Sequence, residues 1–248
     1  MCQKIYKFCT STIMCAKKYT SFAQVRDDPG GKKFWAKGLM WVSLEGLISS
    51  GKSTLVEKVI SQIENVQIIP EPVEEWETSG LLKKSYTDPM YTFPAQCEFF
   101  CSRIRTFRRL YDPNKINVSE RSPFSDTFFW NIQSVDPLLH ATYHGMWKEW
   151  QNLLPKRNPD LFIYLVTSTD NCMGRIKERG RSSEQGISRA YMEKLRDQHD
   201  MHLSGSVVKM PDGTLVPSIT IDSSVNYRDD PAIATEIRQT IEEILKSK

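Results

Sequence analysis

The feature that most constrains this chain is the run Trp41-Val42-Ser43-Leu44-Glu45-Gly46-Leu47-Ile48-Ser49-Ser50-Gly51-Lys52-Ser53-Thr54. A short apolar segment ends at Gly46 and four residues intervene. Gly51-Lys52-Ser53 then opens a segment in which Leu55, Val56, Val59, Ile60 and Ile63 recur at helical spacing. This is G-x-x-x-x-G-K-[ST] between a strand and a helix, the pattern of a phosphate-binding loop. Gly46 and Gly51 let the backbone turn its N–H groups onto phosphate oxygens, and the positive end of the following helix adds its field. The pattern predicts that Gly46, Leu47, Ile48, Ser49, Ser50, Gly51, Lys52, Ser53 and Thr54 cradle a nucleoside triphosphate. Lys52 reaches the β- and γ-phosphates, and the Ser53 hydroxyl ligates magnesium.

At 248 residues the chain can bury a sizeable core. A net charge of +3 is too small to argue for nucleic acid or a membrane surface. Cysteines at 2, 9, 15, 97, 101 and 172 form no C-x-x-C pair, so free thiols in a reducing compartment are expected rather than zinc or disulfides. Apolar runs such as Leu161 to Val166 are too short to span a bilayer, and a soluble, cytoplasmic protein is expected. Residues 1–38 read as a flexible basic extension with no acid before Asp27; a mitochondrial targeting segment is the alternative, set back by the lack of arginine before Arg26. No internal repeat is evident.

Beyond the first helix, Val66 to Ile69 reads as a second strand stopped by Pro70, and Glu71-Pro72-Val73-Glu74-Glu75-Trp76 follows. In an open α/β sheet the ligand lies beyond the carboxyl ends of strands, so Glu71 falls beside the phosphate loop, where a carboxylate can take a proton from an acceptor hydroxyl. Helices are expected at Leu81 to Tyr86 and Phe93 to Leu110. On the second, Gln96, Phe99, Phe100, Arg103 and Phe107 share one face. Two polar groups in an aromatic stripe need partners, which a flat ligand with hydrogen-bonding edges would supply. Ile116 to Val118 is a third strand leading into Glu120-Arg121-Ser122, an acid suited to magnesium and an arginine suited to charge on a transferring phosphoryl group. Asp126 lies about a turn into the next helix, and Phe128 to Trp150 reads as an aromatic-rich helical region. Asp160 to Val166 has the form of a buried parallel strand, and Ser218 to Asp222 of a last strand before a closing helix from Pro231. Arg175, Arg179 and Arg181 precede a Gly- and Ser-rich loop and form a candidate lid over triphosphate.

Taken together, GLISSGKST, EPVEEW, the Tyr86 to Gln96 block, SRIR, ERSPFSD and RIKERGRSSEQGI, in that order, resemble the deoxynucleoside kinase family from about residue 39 to the C-terminus, in particular its deoxycytidine and deoxyguanosine kinase branch. The resemblance implies an α/β P-loop nucleoside-kinase fold with a five-stranded parallel sheet flanked by helices and an arginine-rich lid. It also implies a homodimer that transfers the γ-phosphoryl group of ATP or another nucleoside triphosphate to the 5′-hydroxyl of a deoxynucleoside with Mg2+. It makes Glu71 the general base, with Lys52 and Arg121 as its catalytic companions, and Trp76 a pocket wall with Phe99 beside it. Tyr86 and Glu184 would hold the sugar 3′-hydroxyl. Gln96 would meet the base edge, and Phe128, Phe129 or Trp130 would sandwich the ring. Ser53 and Glu120 attend magnesium, Arg121, Arg175, Arg179 and Arg181 attend phosphates, and Tyr227 stacks on the donor base.

Arg103 and Asp126 match the pair that faces exocyclic groups in the deoxycytidine and deoxyguanosine branch. A buried carboxylate accepts from an amino group and repels a carbonyl oxygen, so deoxycytidine and purine deoxynucleosides are expected over thymidine. The chain departs from the pattern at Ala95, where relatives carry a bulky residue, at Pro123, and in a Tyr86 to Gln96 block one residue shorter than in deoxycytidine kinase. Ala95 would enlarge the pocket toward purines. The competing readings are a thymidine or broad-specificity deoxynucleoside kinase, a thymidylate kinase, a switch or motor ATPase and a non-catalytic nucleotide-binding scaffold. The thymidylate kinase reading lacks an E-P-G-G turn. Asn114-Lys115-Ile116-Asn117 lacks the Asp of a guanine-reading motif and leads into a strand.

Overall fold

The computed structural model describes residues 40–246. The expected basic extension at 1–38 and Cys2, Cys9 and Cys15 lie outside the described residues. Strand β1, Met40–Gly46, is buried at every position. Its side chains still alternate: Met40, Val42 and Leu44 enter one apolar cluster, whereas Trp41 enters another on the opposite face. Helix α1, Lys52–Lys58, follows the phosphate loop and supplies Leu55 and Val56 to the first cluster.

Strand β2, Val66–Ile69, leads to helices α2, Val73–Thr78, α3, Leu81–Thr87, and α4, Thr92–Leu110. Strand β3, Ile116–Glu120, precedes α5, Pro123–Asn131, and α6, Pro137–Trp150. The aromatic-rich stretch expected as one helical region is therefore two helices. Pro137 cannot continue a helix from its predecessor, and the Asp136 carboxylate accepts from Leu138 N at 2.7 Å to start the second. The remaining elements are β4, Leu161–Val166, α7, Thr169–Arg179, α8, Arg189–Leu203, β5, Val207–Lys209, β6, Leu215–Asp222, and α9, Pro231–Lys246.

The sheet order is β2-β3-β1-β4-β6-β5. The five strands from β2 to β6 are parallel, as the family resemblance implied. Beyond them the short β5 adds an antiparallel edge to β6, a sixth strand not anticipated from the sequence. Helices α1 and α9 cover one face. The other face is covered by α4, α5 and α6 on the β2 side, with α7 and α8 toward β4. Among the described residues no helix is long and apolar enough to cross a membrane. Cys97, Cys101 and Cys172 are free thiols.

Trp41 locks the centre: its ring is fully buried, its indole N–H donates to Ser119 Oγ at 2.8 Å, and it meets Phe107 edge-on at 4.6 Å. Replacing it with alanine removes an aromatic body and leaves Ser119 a partner short. Trp41→Ala is expected to lower the unfolding free energy by about 3–5 kcal/mol in chemical denaturation, against wild type under the same conditions.

Candidate active site

The carboxyl ends of the parallel strands surround a cavity of about 750 Å³. At its base the phosphate loop turns through Gly46 at φ 146° and Gly51 at φ 102°. A Cβ on Gly46 would meet Leu165 O at 2.8 Å, so only glycine lets β1 leave the sheet this closely beside β4. The Lys52 ammonium donates to Leu47 O at 2.9 Å and Gly46 O at 3.2 Å. Burial first, and then Arg121, pull its pKa down to about 8 against the opposing pull of Glu71, Glu120 and Glu45. Arg175 donates to Ser50 O at 3.2 Å and to Ser223 O at 2.7 Å, tying the loop to the segment after β6. Tyr227 is 3% exposed and its hydroxyl donates to Gly51 O at 3.0 Å. It braces the loop from the side, with its ring in the apolar cluster under α1 and α9.

Glu71 lies just past β2 and Arg121 just past β3, so parallel pairing brings them together. Glu71 Oε1 accepts from Arg103 Nη2 at 2.7 Å and forms an ion pair with Arg121 Nε at 3.1 Å, and Arg103 Nη1 also pairs with Asp126 Oδ1. Burial alone would raise the Glu71 carboxyl, but Arg121, Arg103 and Lys52 together outweigh it and hold it below the ordinary range. The balance reverses at Asp126, where burial prevails over Arg103 and pushes the carboxyl up to about 6. Asp126 Oδ2 and Arg103 Nε are buried with no hydrogen-bond partner in the protein. Glu120 at the end of β3 accepts from Ser53 Oγ at 2.8 Å, and its carboxyl is raised by burial and by Glu71. These two oxygen donors on the cavity wall fit a magnesium ion, which takes one or two protein oxygens and completes its shell with phosphate and water.

On the cavity wall Trp76 and Phe99 pack with ring centres 4.5 Å apart and planes tilted by 44°, and the Trp76 indole donates to Ser102 Oγ at 2.8 Å. Gln96 donates to Asp126 O and to the Tyr143 hydroxyl, each at 3.3 Å. Tyr86 packs edge-on against Tyr191 at 5.7 Å, and both line the cavity. Glu184 is 5% exposed and takes Arg179 Nη2 on both oxygens, at 2.6 and 2.7 Å, with Arg181 at 3.7 Å. Arg175, Arg179 and Arg181 all reach the cavity wall.

Three residues expected at the pocket, Trp130, Phe128 and Arg103, do not line the cavity. Trp130 is fully buried away from the cavity, packed on Phe93 and Tyr143, because α6 folds back over it. Phe128 is likewise core. Phe129 lines the cavity instead and lies 4.7 Å under the Arg121 guanidinium. Arg103 stands behind the wall, paired with Glu71 and Asp126. Ala95 is fully buried and does not line the cavity.

Sequence reasoning missed Glu45, which is fully buried and accepts from Ser43 and Ser122 hydroxyls at 2.7 Å, with its carboxyl raised by burial against Arg121. A lone acid inside a buried strand was its signal. It also missed Gln133, Tyr191 and the residues flanking Tyr227 in the 224–229 loop on the cavity wall, which carry no motif. Asn117, inside the tetrad that superficially resembles a guanine-reading motif, binds the backbone of Asp112 and Lys115 and has a structural role.

The family model for deoxynucleoside kinases matches residues 42–246. A fowlpox virus protein named as a probable deoxycytidine kinase is 34% identical over 172 residues, covering 66% of this chain and 71% of the viral protein. The deoxycytidine kinase of Mus musculus is 30% identical over 221 residues, covering 76% and 85%. A thymidine kinase of Ictalurid herpesvirus 1 is 30% identical over 191 residues, covering 73% and 82%.

Gly51 offers a direct check of the loop: a Cβ there would stand 2.3 Å from the Tyr227 hydroxyl at a φ that favours glycine. Gly51→Ala is expected to weaken triphosphate binding by roughly 10-fold or more in equilibrium titration. Adding Tyr227→Phe should recover part of the loss and leave the backbone strain.

Proposed function

Because the chain belongs to the deoxynucleoside kinase family, we propose that it transfers the γ-phosphoryl group of ATP, or another nucleoside triphosphate, to the 5′-hydroxyl of a deoxynucleoside, preferring deoxycytidine and purine deoxynucleosides to thymidine. The observation that carries the preference is Asp126, a buried carboxylate on the cavity wall with one oxygen on Arg103 and the other unpartnered. An exocyclic amino group supplies the missing donor; a carbonyl oxygen in its place brings repulsion and leaves Oδ2 unpaired. Gln96 beside it meets the base edge, and Trp76, Phe99 and Phe129, which line the same cavity, enclose the ring.

In the reaction the deoxynucleoside and the triphosphate enter from opposite ends of the cleft. Glu71 is ionised at neutral pH because its arginines hold its carboxyl low. It accepts the 5′-hydroxyl proton late, once the forming O–P bond has made that hydroxyl acidic. Lys52 and Arg121 stabilise the charge on the transferring group, and the Arg175, Arg179 and Arg181 side chains attend the phosphates. Tyr86 and Glu184 meet the sugar 3′-hydroxyl, and Tyr227 bounds the donor site. Magnesium, when bound, would neutralise part of the triphosphate charge, with Ser53 and Glu120 as the residues that would hold it. A homodimer and a cytoplasmic setting, with no nucleic-acid or membrane partner, belong to the same reading.

The test is a magnesium-dependent assay with ATP against deoxycytidine, deoxyadenosine, deoxyguanosine, thymidine and thymidine monophosphate, with products identified. Monophosphates of the amino-bearing nucleosides are expected as the main products. Thymidine as the best substrate would overturn the preference, and turnover of only the monophosphate would overturn the acceptor. Arg103→Met with Asp126→Ala should shift the kcat/KM ratio toward thymidine; an unchanged ratio would contradict the assignment.

A pH dependence follows from the sign of the Asp126 shift. A carboxyl raised to about 6 is ionised above that pH and protonated below it, where it donates to a carbonyl instead of repelling it. The kcat/KM preference for deoxycytidine over thymidine is expected to narrow as pH falls from 8 to about 5.5, measured with both substrates at each pH.

A further inference from the structure

Arg121 is held in an unusual way. Its backbone sits at φ 64°, a region that non-glycine residues seldom adopt, and its N–H donates to Leu44 O at 2.8 Å. Its guanidinium uses Nε for Glu71, rests on Phe129, and places Nη1 3.3 Å from His199 Nε2. His199 belongs to the apolar stripe of α8, with Met192, Leu195 and Leu203, and is fully buried. It does not line the cavity, so no substrate atom reaches it.

The protonation pattern follows from the contacts. His199 Nδ1 lies 2.8 Å from Leu195 O, and a carbonyl oxygen can only accept, so Nδ1 carries the hydrogen. In the neutral ring Nε2 then presents a lone pair, which accepts from Arg121. Tyr164 lies nearly parallel to the ring at 6.1 Å and Phe128 meets it edge-on at 5.1 Å. Burial first, and then Arg121, keep the imidazole uncharged, with Lys52 and His202 acting in the same direction.

We propose that His199 is a positioning residue for phosphoryl transfer, a neutral acceptor that aims the Arg121 guanidinium at the transferring group without neutralising it. A carboxylate in this place would draw Arg121 into a second ion pair and diminish its field at the phosphoryl group. An apolar residue would leave Nη1 without its acceptor and the strained backbone as the main restraint on direction. The imidazole supplies direction and leaves the charge available. This rests on the reading of Arg121 as the residue that stabilises phosphoryl charge, and the test separates the two.

The experiment measures kcat, nucleoside KM and thermal midpoint for His199→Leu, His199→Met, His199→Gln, Arg121→Ala and the double variant Arg121→Ala with His199→Leu. His199→Leu is expected to lower kcat by roughly 10–100-fold, the loss of a hydrogen bond to a charged donor, with nucleoside KM changed by less than about threefold. His199→Gln, whose amide oxygen can accept at similar reach, should recover most of kcat. In the Arg121→Ala background His199→Leu should cause no further fall. A kcat for His199→Leu within about twofold of wild type, beside a crippled Arg121→Ala, would overturn the positioning role. So would equal falls in both backgrounds, or loss of fold in both apolar variants, each of which marks a merely structural histidine. Near-normal turnover of Arg121→Ala would overturn the reading of Arg121 itself.

Discussion

One buried guanidinium joins the two halves of this active site. Arg103 takes Glu71 with one nitrogen and Asp126 with another, and it is only 6% exposed. Charges removed from water this completely are tolerated only with partners, and taking away a single member leaves the others uncompensated. Arg121 and Lys52 extend the same set toward the phosphate loop, and Glu45 and Glu120 extend it along the ends of β1 and β3. The carboxyl proposed to take the hydroxyl proton and the carboxyl proposed to read the base are therefore held by one side chain. The two proposed roles, reading the base and taking the proton, share one cation.

The fold makes this possible through strand periodicity. Along β1, Met40, Val42 and Leu44 serve the apolar layer under α1 and α9, which leaves Trp41, Ser43 and Glu45 for the other face. Near the carboxyl end that face becomes polar, where Ser43 and Ser122 hydroxyls meet Glu45. Parallel pairing sets Leu44 beside Glu120, so Arg121 emerges where its N–H can reach Leu44 O. A core that is apolar on one side and increasingly polar toward the strand ends is what an open parallel sheet needs to hold charged ligands at its edge.

Much of this was legible in the sequence because the relevant signals are local. The phosphate loop carries its own glycines and lysine, Glu71 directly follows a strand stopped by proline, and Gln96 and Arg103 stand two helical turns apart on one face. What was not legible depends on which distant segment covers a residue. Trp130 looks like a pocket aromatic beside Asp126 until α6 folds back and buries it against Tyr143. Arg175 reads as a lid arginine, and its additional hold on the backbone carbonyls of Ser50 and Ser223 shows only in the fold. The edge strand β5 has too few residues to display alternation. His199 drew no reading from the sequence, and only the folded chain reveals that Arg121 is its partner.

The claim that Glu71, Arg103 and Asp126 act as one unit is tested most directly by a double-mutant cycle. Glu71→Gln, Asp126→Asn and the double variant would be compared in kcat/KM for deoxycytidine. Shared use of Arg103 predicts that the double variant loses less than the product of the single losses, by roughly fivefold or more. Losses that simply multiply would contradict the account, leaving two independent carboxylates that happen to touch the same arginine.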